Sequence, residues 1–259
     1  MSSKLGLSIL IIFCGSFLSA AVPKTCRGVL EDEAAKSVQL QKEIKAARAV
    51  VSGNSFVTSR GLVQYKMSLH PAFSLELSRL GPEQVWMDLG GGRGNAVEQF
   101  LQDFSDLGRA PRVVLVSYSL GFLRSLSDFN GRLQVFKGRY WEDIPQREIP
   151  SVNLVSDFFG VLSYTHDLSL CLQKVFDSLV VGGHLFLHST HYITHIRNRA
   201  QKVLSLTEFL SSIEGLEVEG KFGILKVKKA QANVQIPKLR LVGLDNGPRP
   251  AVRVFDLAQ

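Results

Sequence analysis

Asp88 stands two residues before Gly90, and Gly92 and Gly94 follow at the same interval. Glycine at these positions lets the backbone turn sharply and lets a ligand come close without a Cβ in the way. A helix expected from Asn95 onward would direct its free N–H groups back at this loop, favouring an anionic group on a ligand. The chemistry indicated is the handling of a nucleotide-like molecule. A second set, Asp157-Phe158-Phe159, follows another apolar run. A carboxylate there could orient an acceptor or take its proton, and Phe158, Phe159 or Tyr164 could form an apolar wall attractive to a cation. The plainer alternative is that the phenylalanines are core and Asp157 caps a helix. Histidines 184, 188, 191 and 195 form a third set. His191 and His195 are four apart, the spacing of one helix face. Histidine as a residue type titrates near neutrality, which suits a base acting on an acceptor hydroxyl or amine. No HExxH or CxxC pattern occurs, so no metal site is expected.

Three kinds of glycine loop compete for residues 88–95. A P-loop requires a Lys-Ser/Thr pair after its last glycine, and none follows here. A dinucleotide loop requires a small third residue for close helix–strand packing, where this chain has Asn95. The pattern present is Asp88-x-Gly90-x-Gly92-x-Gly94.

The elements around the loop alternate. Val85–Leu89 is an apolar strand, and Arg112–Ser117, Leu133–Lys137, Val152–Ser156 and His184–His188 are four more. Leu120–Ser127 is a candidate helix. Leu168–Leu179 has apolar residues at 168, 172, 175, 176 and 179, a helical stripe ended by Gly182-Gly183. Leu206–Ile213 is a further helix, and Leu216–Val218 and Phe222–Val227 are two final strands. Leu62–Leu80 enters the domain as a helix interrupted near Pro71. Strands alternating with helices predict an α/β fold with a doubly wound, mostly parallel sheet covered on both faces.

The strand, aspartate and glycine spacing of VWMDLGGGRG resembles the first motif of class I S-adenosylmethionine-dependent methyltransferases. The segment SLVVGGHLFLH is similar to that family's glycine turn before strand five. The resemblance spans roughly Leu62–Lys229 and implies a Rossmann-like fold with S-adenosylmethionine as cofactor. Asp88, Gly90, Gly92 and Gly94 match the motif residue by residue. Where the family places an acid for the ribose hydroxyls, this chain has Ser117, which offers one hydroxyl. Where the family has an aspartate near the adenine amino group, this chain has Arg139, which accepts no hydrogen bond; Glu142 and Asp143 lie nearby. Each lost charged hydrogen bond would weaken binding by ~1.5–3 kcal/mol. Asp157 and Phe158 fall where the family borders the transferring methyl group, so both join the implied site, Asp157 also as a catalytic candidate. Two functions follow: a methyltransferase acting on an unidentified acceptor, or a catalytically silent exported binding domain with the same fold.

The chain has 259 residues with a net charge of +7. Leu5–Leu18 is apolar, and Ser19, Ala20 and Ala21 are small, so residues 1–21 resemble a signal peptide. The run is short for a spanning helix of ~20 residues. The protein is therefore expected to be exported, periplasmic or secreted, if the leader is cleaved, and tethered to a membrane otherwise. An exported enzyme would need a supply of a cytosolic cofactor, which keeps the silent alternative open. Residues 22–61 form a helical extension and linker, with helix expected over 31–51. Residues 62–229 form the α/β domain, and 230–259 a basic β extension. Lys221–Arg253 holds eight Lys/Arg against Asp245, a strip that suits an anionic partner or, more simply, a solvated strand edge. It carries no nucleic-acid motif. Two strands there are expected to join at Asn246-Gly247. Cys26 and Cys171 could pair in an oxidising compartment.

Overall fold

The five residues Val-Trp-Met-Asp-Leu are apolar on both faces apart from one aspartate, and such a run is stable only where both sides of a strand are covered. In a computed structural model they form the fully buried strand β1 (Val85–Leu89), an interior strand of a seven-stranded sheet. The structure describes residues 38, 39, 42, 58–118, 129, 131–189, 194–245 and 252–258. Val38, Gln39 and Lys42 are helical. The leader 1–21, the rest of the helix expected over 31–51, the candidate helix Leu120–Ser127, His191 and the Asn246-Gly247 junction lie outside the described residues.

Strands β2 (Arg112–Ser117), β3 (Leu133–Lys137), β4 (Val152–Phe158) and β5 (Leu179–His188) run parallel to β1. Beyond β5 come β9 (Ile224–Lys229) and β8 (Leu216–Lys221), each antiparallel to its neighbour. The order is β3-β2-β1-β4-β5-β9-β8. The chain moves outward through β2 and β3, then returns to the other side of β1 as β4. That reversal falls at the carboxyl ends of β1 and β4, the place where open α/β sheets take ligands. The fold is the doubly wound, Rossmann-like α/β fold expected from the sequence.

Helices cover both faces. The expected break near Pro71 separates α1 (Leu62–Ser68) from α2 (Phe73–Ser78). With α3 (Asn95–Gln102) they bury Tyr65, Phe73 and Phe100 against Trp86, Phe158 and Phe186 of the sheet. A short helix, α4 (Val161–Tyr164), follows β4. α5 (Leu168–Ser178) buries Leu168, Cys171, Leu172, Val175 and Phe176, the apolar stripe of a 3.6-residue period. Its N-cap Asp167 accepts from Leu170 N at 3.0 Å. α6 (Leu206–Ser211) opens with a Ser205/Glu208 capping box. Among the described residues, no helix is long and apolar enough to cross a membrane.

Two expectations are corrected. α5 ends at Ser178, and β5 starts at once and runs through Gly182 and Gly183. Leu179, Val180 and Val181 favour extended backbone, and the glycines absorb a register shift against β4 between Val152 and Leu154. The second correction concerns the histidines. The spacing of His191 and His195 suggested a helix, but His195 lies in a strand, β6 (Thr194–Arg197). With β7 (Val203–Leu204), β10 (Leu239–Asp245) and β11 (Val252–Leu257) it forms a second sheet, ordered β10-β11-β6-β7. β11 lies parallel to β6, and Arg197 pairs with Asp256 across them through bonds of 2.7 and 3.0 Å.

The basic strip is only partly a solvated edge. Lys228 meets Glu217 at 2.9 Å on the surface, but Lys229 is buried and its ammonium donates to the carbonyls of Phe176 and Leu179 at the C-terminus of α5. A cation there satisfies carbonyls that the helix leaves unpaired. Replacing Lys229 with methionine keeps the bulk and strands both acceptors. The expected result is a loss of about 2 kcal/mol in unfolding free energy, read as a lower urea midpoint with an unchanged slope.

Candidate functional site

The site is built on the facing ends of β1 and β4. Asp88, the fourth residue of β1, is wholly buried. Its Oδ2 accepts from the Tyr65 hydroxyl of α1 at 3.0 Å, and its Oδ1 accepts from the Ser156 hydroxyl of β4 at 2.7 Å. Ser156 in turn accepts from Trp86 Nε1 at 2.9 Å. Burial pushes the Asp88 carboxyl up to about 7, against the downward pull of its bonds from Ser156 and Tyr65.

The glycine loop then passes very close to the turn after β4. A Cβ on Gly90 would lie 2.6 Å from Gly160 Cα, and a Cβ on Gly160 would lie 2.1 Å from the Leu89 carbonyl oxygen. Gly90, Gly92 and Gly94 all have positive φ, which explains the regular glycine spacing in the sequence. At Gly92 a Cβ would reach within 2.3 Å of the Thr58 carbonyl oxygen. Residues 58–60 lie across the loop as a strap: Arg93 N donates to Thr58 O at 3.0 Å, and Asn95 Nδ2 donates to Ser59 O at 3.3 Å. Ser117, at the end of β2, is buried and its hydroxyl donates to the Gly92 carbonyl.

On the β4 side, Asp157 is also wholly buried. Its two oxygens accept from the backbone N–H groups of Gly160 (2.9 Å) and Leu162 (2.8 Å). Burial pushes its carboxyl up to about 7 despite those two amides, and Asp88 adds to the rise. The geometry gives Asp157 the work of shaping the turn that meets Gly90. Arg253 of β11 braces the same turn from outside. Its buried guanidinium donates to the carbonyls of Leu162 and Thr165 and to the Thr194 hydroxyl. Burial lowers its pKa to about 10.

Phe158 and Phe159 form an aromatic wall beside the loop, with ring centroids 5.2 Å apart. The Arg60 guanidinium of the strap lies 4.5 Å from the Phe158 centroid and 5.3 Å from that of Phe159, and Nη1 donates to Phe158 O at 2.7 Å. His188, at the end of β5, stacks on Phe158.

The structure therefore brings Asp88, Gly90, Gly92, Gly94, Ser117, Asp157 and Phe158 into one region. Arg139 stands on the surface, paired with Glu148 at 2.7 Å, and Glu142 accepts from the Thr165 hydroxyl. Cys171 is buried and free, its sulfur 3.1 Å from the Thr165 hydroxyl; Cys26 lies outside the described residues. No group of three His, Cys, Asp or Glu among the described residues could hold a metal ion. Sequence reasoning missed Arg60, Tyr65, Ser156, Gly160 and Arg253. The Gly160 turn, following an Asp at a strand end, was the one local signal available.

No protein-family model matches the chain, and no curated protein is significantly similar to it. Solved methyltransferase structures are among its structural neighbours. One is the Burkholderia thailandensis 1,6-didemethyltoxoflavin-N1-methyltransferase with bound 1,6-didemethyltoxoflavin and S-adenosylhomocysteine. It is 17% identical with a TM-score of 0.41, over 82% of this chain and 92% of that one. A chain from the complex between the Haloferax volcanii Trm112 methyltransferase activator and the putative methyltransferase is 15% identical with a TM-score of 0.41, over 66% and 93%. Geranyl diphosphate methyltransferase, solved with GPP and sinefungin, is 19% identical with a TM-score of 0.37. That match covers 53% of this chain and about half of the other, 46%.

A carboxyl whose folded pKa lies above its unfolded value holds its proton more tightly when folded. Its ionisation then costs stability, with no penalty below the unfolded value of about 4 and the full penalty above about 7. Asp88→Asn removes the ionisable group. The stability difference between variant and wild type should move in the variant's favour as pH rises through that window, by up to roughly 4 kcal/mol, and then level off. A difference that stays constant from pH 4 to 7 in urea titrations would mean that Asp88 ionises normally.

Proposed function

We propose that the protein is an S-adenosylmethionine-dependent methyltransferase acting on an acceptor yet to be identified. The observation that carries this reading is the contact of the glycine loop with the turn after β4 at the topological reversal of the sheet, with the rings of Phe158 and Phe159 following β4. Arg60 stands over Phe158 and Phe159, and its guanidinium must leave those ring faces before a sulfonium, which carries the same charge, can take them. With Arg60 withdrawn, the loop and the rings fit the group.

On this reading the loop Gly90–Gly94 and the strand end at Asp88 hold the cofactor from the β1 side. Ser117 keeps the loop in shape through the Gly92 carbonyl. Phe158 and Phe159 offer ring faces to the charged sulfur once Arg60 withdraws from them, and Asp157 keeps the Gly160 turn against the loop. When bound, the cofactor supplies an already activated methyl group for direct displacement. The protein's work is then to align the acceptor and exclude water. The strap is suited to exclusion, since Thr58 and Arg60 sit on the loop and the wall together.

Calorimetric titration of the protein lacking residues 1–21 with S-adenosylmethionine and S-adenosylhomocysteine tests the proposal. Micromolar binding is expected, and Gly92→Val should abolish it, because the new side chain meets the Thr58 carbonyl in a backbone conformation that valine avoids. A folded wild-type protein that binds neither ligand at millimolar concentration would replace this reading with the silent binding domain.

A further inference from the structure

His188 closes β5 beside the end of β4, with Phe158 as its register partner. Its ring lies parallel to that of Phe158, centroids 5.2 Å apart, and 4.3 Å from that of Phe159. The ring is bonded to the backbone of Ser68 in α1, and Nδ1 is buried and without a partner, so with the proton of a neutral ring on the other nitrogen Nδ1 is a bare acceptor. Native proteins seldom leave such an atom unpaired. Its cover is itself unusual. Phe159 has φ 49°, in the left-handed region that bulky residues avoid, and its amide is tied to the His188 carbonyl at 2.8 Å. A strained cover over an unpaired acceptor, at the ligand-binding edge of the sheet, is an arrangement that a ligand would relieve on both counts.

We propose that His188 Nδ1 receives the proton of a phenol-type hydroxyl on the methyl acceptor, with Phe159 as the movable cover. This rests on the methyltransferase reading above. The groups facing the imidazole decide the acceptor class. Arg60 of the strap is the charged one, α1 presents the Ser68 carbonyl, β4 presents phenyl rings, and the β9 neighbour is the uncharged Ile224. Burial and Arg60 hold the imidazole below its ordinary range, so at neutral pH it is a neutral proton acceptor. A hydroxyl, which must lose a proton to become a good nucleophile, needs such a base, whereas a free amine already has its lone pair. The flat rings suit a planar aromatic acceptor. In the step, the oxygen forms its bond to the methyl carbon while its proton passes to Nδ1. The electrons of the broken carbon–sulfur bond return to sulfur. A methyl ether, a neutral thioether and an imidazolium result, and the imidazolium gives its proton to water.

The test uses the full chain with ¹⁵N-labelled histidine rings, titrated with phenol and, separately, with anisole, which has the same ring and no proton to donate. Phenol should move the His188 Nδ1 resonance and anisole should not. His188→Phe, which keeps a ring against Phe158, should bind phenol about tenfold more weakly. An equal response to both probes, or none at Nδ1, overturns the assignment. If His188→Phe does not fold, the wild-type contrast alone decides. Phenol binding needs no cofactor, so titrating the same sample with S-adenosylmethionine reads the methyltransferase proposal separately. Cofactor binding without a phenol-specific shift removes the role of His188 only. A phenol-specific shift without cofactor binding keeps the Nδ1 site and removes methyl transfer.

Discussion

Two backbones meet where neither has room for a side chain. The loop after β1 and the turn after β4 touch at Gly90 and Gly160, and an added Cβ on either would fall within 2.6 Å of the other's backbone or of the Leu89 carbonyl. That contact forms a floor at the topological reversal of the sheet. A buried aspartate stands on each side of it. Asp88 ties β1 to Ser156 of β4 and to Tyr65 of α1, while Asp157 gathers the amides of the turn. Both carboxyls sit near neutrality rather than in the usual carboxylate range, mainly through burial. Burial thus makes ionisation of either carboxyl costly, a pattern common at functional sites.

Segments distant in sequence then close around this floor. The strap at 58–60 covers the glycine loop from one side, its backbone meeting Arg93 and its Arg60 reaching the end of β4. The C-terminal strand β11 arrives from the other side and sets Arg253 on the carbonyls of the Gly160 turn and α4. The second sheet is therefore continuous with the support of the site. A buried guanidinium bonded to backbone carbonyls also limits how far the turn can move, because any shift would leave those buried groups unpaired.

Much of the floor was legible in the sequence, for a local reason. Positive φ and close approach select glycine at Gly90, Gly92 and Gly94, so the constraint is written into residue type and spacing. Strands buried on both faces likewise announce themselves as apolar runs. What could not be read depends on tertiary partners. Lys229 and Arg253 sit in alternating basic stretches that look like a solvated edge, and only the carbonyls of Phe176, Leu179, Leu162 and Thr165 make burial favourable. Arg60 follows a polar linker and meets Phe158 across 98 residues of chain. β6 and β7 are four and two residues long, too short for a periodic signal, so the second sheet was visible only as its C-terminal hairpin. The place of Ser117 at the end of β2 was legible, but the bond from its hydroxyl to the Gly92 carbonyl was not.

If the β1 loop and the β4 turn form one floor, a ligand reaches both at once. Backbone hydrogen exchange of the wild-type protein, followed by mass spectrometry with and without saturating S-adenosylmethionine, tests this. Slower exchange on ligand addition is expected in residues 89–97 and 157–165 together, since a ligand on one side presses the shared contact from both. Protection of one stretch without the other, or ligand binding with protection in neither, would contradict it.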